Sequence, residues 1–486
     1  MVTDETATAQ RLVRRFARET NLLVAGRDFS VVGTDAVADE LRRLLPAFGA
    51  HLGSTGTVGH GVVFAPGATP EILLDGKALP ARETAHDRVD AAGRHMPVAT
   101  DRARRLREAG TVKGVRIGIA MVLEPKTAQL ALLLRDAGAA VAVYAHPDEI
   151  DVEVAQVLRS RGIPVDGDPS LSGAAERAAA VSFLRRGFDL LLDDGSHLIR
   201  LAHEEGLARQ LRGAAEETTS GLTPLRLMER EGLLEIPVIA VNDALTKTSF
   251  DNRYGTGQSC VFAVADALDD AGIDLRDQPA VVVGYGPVGE GVAAHLRALG
   301  VQVGVTETDP VRALRATHDG YRIGRLHDLA PGALVVSATG APHTVDAVVL
   351  RAAAIVAVAG GVPHEVDLDP ATLRPFAGES GASSPFVERA GEGALVIARG
   401  GCVNLSAGEG NPIEIMDLSF SVQLFAVEHL LTHGLPAGVH ALPPETDTVI
   451  GTAALALRGE RIDLRSAAQI DALREWRSPR FRGESA

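Results

Sequence analysis

Cysteine, tryptophan and tyrosine are rare in this sequence, and long apolar runs are absent. Among 486 residues there are two cysteines, Cys260 and Cys402, one tryptophan and four tyrosines. So few cysteines exclude a disulfide-rich secreted scaffold, and the polar opening MVTDETATAQ lacks the apolar segment of a signal peptide. No apolar stretch approaches the roughly 20 residues of a membrane span. We therefore expect a protein of the reducing cytoplasm that does not contact a membrane.

Positive charge is also scarce. The chain carries 48 lysines and arginines against 63 aspartates and glutamates, which gives a formal charge of −15 and a pI near 5.5. Because nucleic-acid phosphates are bound mainly by lysine and arginine, this balance argues against nucleic acid as a partner. The hydrophobic share of 46% is typical of a globular protein, and the length allows roughly three domains.

The first 90 residues predict a small α/β unit. The segment NLLVAGRDFSVVGTDAVADELRRLLPAFGAHLGS combines a short apolar strand, a Gly-Thr-Asp turn and an amphipathic helix that contains Leu41, Leu44 and Leu45. The stretch ETAHDRVDAAGRHMP that follows is polar, which predicts a linker to the next domain.

From about residue 114, strand-like and helix-like segments alternate, as in GVRIGIAMVL, KTAQLALLLRDAGA, AVAVYAH and FDLLLDD. This βαβ pattern predicts a parallel sheet with helices on both faces. Ligands of such sheets bind beyond the carboxyl ends of the strands, so Asp193 and Asp194, which close FDLLLDD, are candidate site residues. The alternative is that this aspartate pair caps the following helix.

A glycine-rich loop begins a second alternating block, PAVVVGYGPVGEGVAAHLRALGVQVGVTETDP. Gly284, Gly286 and Gly289 follow an apolar strand and begin a helix, which is the context of a dinucleotide-binding loop. Glu307 ends the next strand, where a carboxylate accepts hydrogen bonds from an adenosine ribose and repels a 2′-phosphate. The pattern therefore predicts an NAD site rather than an NADP site.

A polar cluster stands shortly before this loop, in VNDALTKTSFDNRYGTGQS. It places Asn242, Lys247, Asp251 and Asn252 within eleven residues. These side chains either begin a solvated helix or perform chemistry beside the dinucleotide.

Two long segments carry a resemblance to a known family. AEETTSGLTPLRLMEREGLLEIPVIAVNDALTKTSFDNRYG and VVVGYGPVGEGVAAHLRALGVQVGVTETDPVRALRATHDGY closely resemble S-adenosylhomocysteine hydrolase. FDLLLDDG, CVNLSAGEGNP, SFSVQLFAVEHL and PAGVHALPPETD match it more weakly. The resemblance begins near Met96, so the first 90 residues lie outside it.

The resemblance implies an α/β fold with two Rossmann-like, doubly wound parallel-sheet domains plus a small N-terminal α/β extension. It implies that family members assemble through their C-terminal region, so we expect a homodimer or a homotetramer. The implied parts of the chain are an N-terminal extension over 1–90, a substrate-binding domain over 91–246 with 405–455, an NAD-binding Rossmann domain over 247–404, and a C-terminal tail over 456–486 that is a candidate oligomer contact.

The family's chemistry gives the polar cluster a role. It implies a tightly held NAD that removes hydride from the ribose C3′ of a nucleoside-like substrate and thereby acidifies the C4′ proton. The 5′ substituent then leaves, water adds, and the ketone is reduced again. On this pattern Lys247 accepts the 3′-hydroxyl proton and Asp251 orients the hydroxyls. A lysine base must be neutral, so we expect its pKa to fall from about 10.4 beside the cofactor.

The resemblance assigns further residues to the substrate and to the cofactor. Glu217 grips the ribose hydroxyls, and Asp194 transfers the proton near C4′. Asn242 and Glu124 complete the substrate contacts, and no metal is implied. The implied cofactor contacts are Thr218, Thr219, Ser220, Asn252, Gly284, Gly286, Val288, Gly289, Glu307 and Asn404.

The sequence departs from the family where the base and the 5′ leaving group are handled. A family His-x-Thr-x-Glu arrangement reads Val122, Glu124 and Lys126 here, and Gly-His-Pro reads Gly410-Asn411-Pro412. Further replacements are Val358 and Gly361 in an Asn-x-Gly-His stretch, Thr256 for a cysteine beside the nicotinamide, and the tail WRSPRFRGESA. The oxidation residues are kept, whereas those for substrate choice are altered.

Several residues have two interpretations in this altered pattern. His197 in DDGSHL is either a new acid/base group or a helix-start residue, and His364 is either a replacement imidazole or a surface histidine. Arg477 and Phe481 either replace the lysine and tyrosine of the family tail, which reaches the NAD of a neighbouring subunit, or have no such role.

Three hypotheses follow. The first is an NAD-dependent enzyme that transiently oxidises the ribose 3′-hydroxyl of a nucleoside other than plain adenosylhomocysteine, followed by elimination, hydration or epimerisation. The second is an ordinary adenosylhomocysteine hydrolase in which Glu124, Lys126, His197 or His364 replaces the lost groups. The third is a non-catalytic regulatory protein that retains NAD.

Overall fold

The structure is a computed structural model that describes residues 4–53, 62–67, 70–79, 84–378, 381–477 and 480. Its strands are β1 Asp28–Val31, β2 His51–Leu52, β3 Val62–Ala65, β4 Glu71–Leu74, β5 Lys77–Ala78, β6 Arg116–Ala120, β7 Ala140–Tyr144, β8 Val165–Asp166, β9 Leu190–Asp193, β10 Gly213–Glu216, β11 Pro237–Ala240, β12 Ala280–Val283, β13 Val303–Thr306, β14 Arg322–Ile323, β15 Leu334–Ser337, β16 Ile355–Val358, β17 Leu373–Pro375, β18 Val387–Ala390, β19 Leu395–Ile397 and β20 Gly438–His440.

The α-helices alternate with these strands over most of the chain. They are α1 Glu5–Thr20, α2 Ala36–Ala47, α3 Ala85–Arg94, α4 Pro97–Ala109, α5 Pro125–Asp136, α6 Val152–Ser160, α7 Gly173–Leu184, α8 His197–Glu204, α9 Thr219–Arg230, α10 Leu245–Lys247, α11 Thr256–Asp270, α12 Pro287–Ala298, α13 Pro310–His318, α14 Leu326–Leu329, α15 Ala347–Ala352, α16 Val403–Ser406, α17 Ile413–Thr432, α18 Glu445–Leu457 and α19 Ala467–Arg474; α15 precedes β16. A π-helix, Thr248–Gly255, joins α10 to α11.

The N-terminal sheet has the strand order β2-β1-β3-β4-β5. Three buried phenylalanines form its core, with ring centroids of Phe16 and Phe29 5.4 Å apart and those of Phe29 and Phe64 5.5 Å apart. The predicted amphipathic helix is α2, which buries Leu41, Leu44 and Leu45. Its polar N-cap, Asp35, accepts a hydrogen bond from the amide of Ala38 at 2.8 Å.

The second sheet is parallel throughout and has the order β20-β11-β10-β9-β6-β7-β8. The order reverses between β6 and β9, so loops after these strands diverge and leave a crevice at the carboxyl edge. β9 is buried along its whole length, as is expected of a strand covered by helices on both faces.

The third sheet has the order β14-β13-β12-β15-β16-β19-β18-β17. Its first six strands are parallel and repeat the doubly wound order, with the reversal between β12 and β15. β17, β18 and β19 add two antiparallel pairs at one edge. The expected fold class, two doubly wound parallel sheets plus a small α/β extension, is confirmed.

The predicted linker at ETAHDRVDAAGRHMP is wrong, because its larger part forms helix α3. A capping box between Thr84 and Asp87 begins the helix, and Val89 and Ala92 are buried against the rest of the chain. The expected domain boundary after residue 90 therefore falls inside α3, and the boundary after residue 246 falls inside α10. The domain boundaries stay a prediction.

The extension packs against helix α11, which follows the π-helix. Arg14, a buried residue of α1, forms ion pairs with Asp266 at 2.7 Å and with Asp269. Phe48 lies edge-to-face against Phe262, with centroids 5.3 Å apart. None of the helices in the described ranges combines the length and the apolar composition needed to cross a bilayer.

Candidate active site

Three members of the polar cluster, Lys247, Asp251 and Asn252, lie on the π-helix Thr248–Gly255 or on the residue before it. The wider π-turn is uncommon and is found mostly at functional sites. It brings the side chains of Lys247, Asp251 and Asn252 into contact. The Nζ atom of Lys247 donates to Oδ1 of Asn252 at 2.9 Å and lies 3.1 Å from Oδ2 of Asp251.

Asn242 and Asn252 are joined directly. Nδ2 of Asn252 donates to Oδ1 of Asn242 at 3.0 Å, and Asn242 follows β11 at the carboxyl edge of the second sheet. Both the sheet edge and the π-helix therefore hold the amide that supports Lys247. The structure thus brings the four residues of the predicted cluster together, with Lys247, Asp251 and Asn242 buried.

Glu217 lies at the same edge, directly after β10. Its Oε1 atom is 3.9 Å from Nζ of Lys247, and its Oε2 atom accepts a hydrogen bond from Nε2 of Gln423 at 2.6 Å. Among the described residues, Oε1 of Glu217 and Oε1 of Gln423 are buried and have no hydrogen-bond partner. Buried oxygens of this kind need donors, and sugar hydroxyls supply them.

The electrostatics around Lys247 differ from the expectation. Burial alone would lower the pKa of Lys247, but the carboxylates of Asp251 and Glu217 outweigh burial and raise it above its ordinary value. For Glu217, burial is the larger effect and raises the pKa to about 8, against the opposing charge of Lys247. The expected fall in the pKa of Lys247 is therefore not present in the protein alone.

Helix α17 completes the surroundings of Asp251. The Oγ atom of Ser419 donates to Oδ2 of Asp251 at 2.9 Å, and the side-chain amide of Asn411 donates to Oδ1. Ser419 and Gln423, which holds Glu217, lie one helical turn apart on the same face of α17. The sequence prediction did not include either residue, and the spacing of four in SFSVQLF was the available signal.

Asn411 is the centre of a hydrogen-bond network. Its Nδ2 atom also donates to Oγ1 of Thr256 at 3.0 Å, and its Oδ1 atom accepts from Nδ2 of Asn404 at 3.0 Å and from Oγ of Ser259 at 2.8 Å. The predicted cofactor residue Asn404 is thereby tied to the oxidation cluster.

The two aspartates at the end of β9 have different environments. Asp193 is fully buried and accepts hydrogen bonds from the amides of Ile199 at 2.7 Å and Asp194 at 3.1 Å, which is the capping arrangement. Asp194 is half-buried. Desolvation raises the pKa of Asp194, while the charges of Lys247 and His146 oppose the rise. A role of Asp194 in proton transfer stays a prediction.

The loops after β9 and β10 are held together by Glu216, which the sequence prediction missed. Its carboxylate accepts from the amides of Gly195 at 3.0 Å and Ser196 at 2.8 Å, and from Oγ1 of Thr218 at 2.6 Å. Thr218 in turn caps α9, and Ser220 donates to it at 3.2 Å, whereas Thr219 is exposed. Contact of these three residues with NAD stays a prediction.

The glycine loop after β12 has the features that a pyrophosphate requires. Gly284 has φ of +89°, a Cβ atom at Gly289 would overlap the carbonyl oxygen of Gly284, and a Cβ atom at Gly286 would have its nearest neighbour, Nη1 of Arg312, at 3.4 Å. Of the three glycines, Gly286 thus borders open space. Pro287 begins α12 without a side-chain cap, so its first amides are available to a phosphate.

Glu307 directly follows β13 beside this loop. It accepts hydrogen bonds from the amides of Tyr285 at 2.6 Å, Thr308 at 2.6 Å and Asp309 at 3.0 Å. Burial opposes ionisation, but these amides outweigh it and lower the pKa of Glu307. The carboxylate is therefore an acceptor for ribose hydroxyls, and the loop with half-buried Val288 fits an NAD molecule.

Glu124, a predicted substrate contact, precedes helix α5. It caps α5 and forms an ion pair of 2.6 Å with fully buried Lys126. The Nζ atom of Lys126 also donates to Oδ1 of Asn21 at 3.0 Å and to the carbonyl of Glu409 at 2.5 Å. The pair thus ties the extension to the second sheet. A direct role of Glu124 toward substrate stays a prediction.

The remaining candidates lie at the surface. His197 begins α8, is exposed, and lies edge-to-face against His146 with centroids 5.1 Å apart. His364 is exposed and stacks on His343 with ring centroids 6.5 Å apart. Arg477 is paired locally with Glu475, and Phe481 lies outside the described residues. In the part of the chain that the structure describes, no group of His, Cys, Asp and Glu is arranged to hold a metal ion.

The chain is similar to several known proteins. A model of the S-adenosyl-L-homocysteine hydrolase NAD-binding domain matches residues 252–410. Adenosylhomocysteinase of Archaeoglobus fulgidus is 37% identical over 401 residues, which are 80% of this chain and 98% of that protein. S-inosyl-L-homocysteine hydrolase of Methanopyrus kandleri is 35% identical and covers 80% of this chain and 94% of that protein. Among solved structures, a transhydrogenase from Sinorhizobium meliloti covers 65% of this chain and 95% of its own length, at 14% identity and a TM-score of 0.34.

Proposed function

The chain belongs to the S-adenosyl-L-homocysteine hydrolase family and binds NAD, and from this premise we propose that it transiently oxidises the ribose 3′-hydroxyl of a nucleoside-like substrate. The observation that carries the proposal is the buried group formed by Lys247, Asp251 and Glu217. Its ammonium lies 3.1 Å from one carboxylate and 3.9 Å from the other. A base and two hydroxyl acceptors are what the oxidation of a vicinal diol requires.

NAD, when bound beside the glycine loop, would supply reversible hydride transfer at C3′, and the net reaction would be redox-neutral. Lys247 takes the proton of the 3′-hydroxyl and later gives it back. Asp251 and Asn252 hold the Nζ atom in place, and Glu217 accepts hydrogen bonds from the ribose hydroxyls through its unpartnered Oε1 atom. The positive charge of a bound nicotinamide ring would oppose the two carboxylates and lower the pKa of Lys247 toward that of a base.

Asp194 performs the second proton transfer. It stands one strand from Glu217 along the carboxyl edge, and its raised pKa makes it a stronger base than an exposed aspartate. A ketone at C3′ acidifies the C4′ proton, which Asp194 removes. If the 5′ substituent then leaves, the net reaction is an elimination, and if water adds afterwards, it is a hydrolysis. If the proton instead returns to the opposite face of C4′, the net reaction is an epimerisation.

We propose a substrate other than plain adenosylhomocysteine. The groups for oxidation are assembled, while Glu124 and Lys126 form a buried pair that binds the N-terminal extension. Relatives of similar identity are named for substrates with different bases: one name refers to an S-inosyl compound and another to an adenosyl compound. These observations support a family site with a changed base pocket.

The experiment is to mix NAD-saturated protein with nucleosides that differ in base and to record the absorbance of reduced nicotinamide together with C4′ hydrogen exchange in heavy water. We expect both signals with the matching nucleoside and neither with Lys247→Ala. The exposed Lys113→Ala serves as the matched control and should keep both. Failure of every nucleoside to reduce NAD in the unsubstituted protein would contradict the proposal.

A second candidate is ordinary hydrolysis of S-adenosylhomocysteine, which the adenosylhomocysteinases at 34–37% identity favour. The test is release of the homocysteine thiol from S-adenosylhomocysteine, with adenosine removed enzymatically to pull the equilibrium. Release of the thiol at enzyme-like rates would favour ordinary hydrolysis over a substrate other than S-adenosylhomocysteine. Absence of release would exclude ordinary hydrolysis.

We also propose a homodimer or a homotetramer. Large apolar side chains of the C-terminal part are exposed in the single chain, among them Leu464 at 88% and Trp476 at 83%. Exposed apolar groups clustered in one segment support burial against another copy. Light scattering at several concentrations measures the mass, and a monomer throughout would contradict this part.

A further inference from the structure

A group of residues that contains two histidines lies at the carboxyl edge of the second sheet. The proposed function does not use any of its members. The group consists of His146, Glu176, Glu149 and His197, which surround the crevice next to Asp194. We propose that His146 is the acid/base group for the substituent at C5′, and that Glu176 positions it. This inference rests on the proposed oxidation at C3′.

The geometry of His146 is that of an oriented acid. It follows β7 by two residues, and its Nδ1 atom lies 2.9 Å from Oε1 of Glu176 in the first turn of α7. A carboxylate at one ring nitrogen fixes the ring and leaves the other nitrogen for chemistry. The ring is also held edge-to-face by Tyr144, with centroids 5.2 Å apart and an interplanar angle of 88°.

The second ring nitrogen lacks a partner. The Nε2 atom of His146 is shielded from solvent and forms no hydrogen bond within the described residues. The side chain as a whole is 16% exposed. A buried polar atom without a partner is costly, so the arrangement fits a ligand atom that supplies the missing hydrogen bond.

His146 and Asp194 both lie just beyond the carboxyl ends of strands of the second sheet, His146 after β7 and Asp194 after β9. In the sheet, β9 and β7 flank β6, so two strand spacings separate their ends, about 10 Å between backbones. The end of β6 carries Val122, whose side chain has no polar atom to occupy the space. The two groups therefore address neighbouring atoms of one substrate.

The step that this arrangement performs balances without another reagent. Asp194 takes the C4′ proton of the 3′-ketone, the C–H electron pair forms the C4′–C5′ double bond, and the bond from C5′ to its substituent breaks. The leaving substituent receives the proton from Nε2 of protonated His146. In the hydration direction neutral His146 takes a proton from water, hydroxide adds to C5′, and Asp194 returns its proton to C4′.

The experiment compares two substrates in two variants. The nucleoside that reduces NAD is prepared with a 5′-alkylthio group, a poor leaving group, and with a 5′-(4-nitrophenylthio) group, which leaves without protonation. In His146→Gln we expect thiol release from the alkylthio compound to fall about 100-fold, the lower range for general acid catalysis, and release from the nitrophenylthio compound to fall less than about fivefold. Exchange of the C4′ hydrogen in heavy water should stay near that of the unsubstituted protein.

Matched variants separate an acid from a structural role. Glu176→Gln should show the same dependence on the leaving group to a smaller extent, because the ring stays but loses its carboxylate. His318→Gln, on the exposed face of α13, is the control and should change neither release. Glu149→Gln tests the competing donor, since burial and the charge of Asp194 raise the pKa of Glu149 to about 8.

Each outcome decides the inference. An equal loss for both thioethers in His146→Gln, no loss, loss of C4′ exchange, or leaving-group dependence in Glu149→Gln instead of His146→Gln would overturn it. C4′ exchange without 5′ release from either thioether would also overturn it, while leaving oxidation at C3′ intact. Failure of the unsubstituted protein to reduce NAD with any nucleoside would overturn the proposed function and this inference together.

Discussion

The side-chain amide of Asn411 lies 3.0 Å from the hydroxyl oxygen of Thr256. These are two of the positions at which the sequence departs from its family, and they are 155 residues apart in the chain. The same amide donates to Asp251 and its oxygen accepts from Asn404 and Ser259. These two departures therefore belong to one hydrogen-bond network that reaches the oxidation cluster.

Asn411 and Thr256 should be energetically coupled. Asn411→Ala leaves buried groups of Asp251 and Asn404 without partners, so we expect it to lower the free energy of unfolding by about 2–3 kcal/mol. Thr256→Val should cost about 1 kcal/mol alone and almost nothing on top of Asn411→Ala, because the bond that it removes is already lost. Denaturant unfolding of the single and double variants measures the coupling, and additive effects would show that the pair does not interact.

Asp251 should set the pH at which Lys247 becomes a base. Because its carboxylate raises the pKa of Lys247, Asp251→Asn should lower that pKa and shift the alkaline rise of substrate-driven NAD reduction to lower pH, with a smaller maximum rate. Stopped-flow absorbance across pH measures the shift. Ser419→Ala, which removes a neutral donor to Asp251 and leaves its charge, is the control and should not move the rise in this direction.

Glu217 should make the protein alone less stable at alkaline pH. Its pKa is about 8 in the folded protein against 4.5 in the unfolded chain, so the folded state binds the proton more tightly. This contribution to stability is complete below pH 4.5 and is lost as pH rises to about 8. As the pH rises from 4.5 to about 8, the free energy of unfolding of Glu217→Gln should therefore increase relative to that of the unsubstituted protein. A difference that is constant with pH would contradict the assignment.

The glycines of the nucleotide loop should respond differently to a methyl group. A Cβ atom at Gly286 meets only Arg312, so Gly286→Ala should fold and, without NAD, melt at the temperature of the NAD-free unsubstituted protein. It should lose most of its NAD, because the new methyl occupies the pyrophosphate approach. Gly289→Ala overlaps Gly284 and should disturb folding itself. Gly434→Ala, with nothing within 4 Å, is the control. NAD content and thermal melting of the purified variants distinguish the two effects.

Lys126 should stabilise the protein through charges that are out of solvent. Lys126→Met leaves the carboxylate of Glu124 buried without its partner, and we expect a loss of about 3–5 kcal/mol in the free energy of unfolding. The double variant Glu124→Gln with Lys126→Met should lose less, because no unpaired charge stays behind. Denaturant unfolding measures both, and a double variant that is worse than Lys126→Met would argue against a buried ion pair.

The sequence allowed prediction of those features that depend on local periodicity. Alternating strands and helices give the two doubly wound sheets, and the glycine spacing after β12 gives the NAD loop. Contacts between distant segments were not predictable in this way: Ser419 reaches Asp251 across 168 residues, and Gln423 reaches Glu217 across 206. The helix α3 was missed because its composition is polar, although Thr84 and Asp87 form a capping box.

The charge state of Lys247 could not be predicted either. Burial and neighbouring carboxylates act on its pKa in opposite directions, and the spacing of four between Lys247 and Asp251 does not reveal that Glu217 is the third member. His146 was missed for a related reason, since its partner Glu176 lies 30 residues away on another element.

The N-terminal extension contacts the chain just before Asn411, at Glu409, and just after it, at Ile413. The side chain of Asn21 accepts from Lys126, its carbonyl accepts from the amide of Ile413 at 2.9 Å, and Arg88, at the start of α3, holds Glu409 at 2.5 Å. Exchanging the domains of this chain with those of a relative would transplant the loop that contains Asn411 without its support. Asn21 and Arg88 therefore support the loop from two different parts of the chain, and a protein cut before α3 would keep the contact of Arg88 with Glu409 and lose the contact of Asn21 with Ile413.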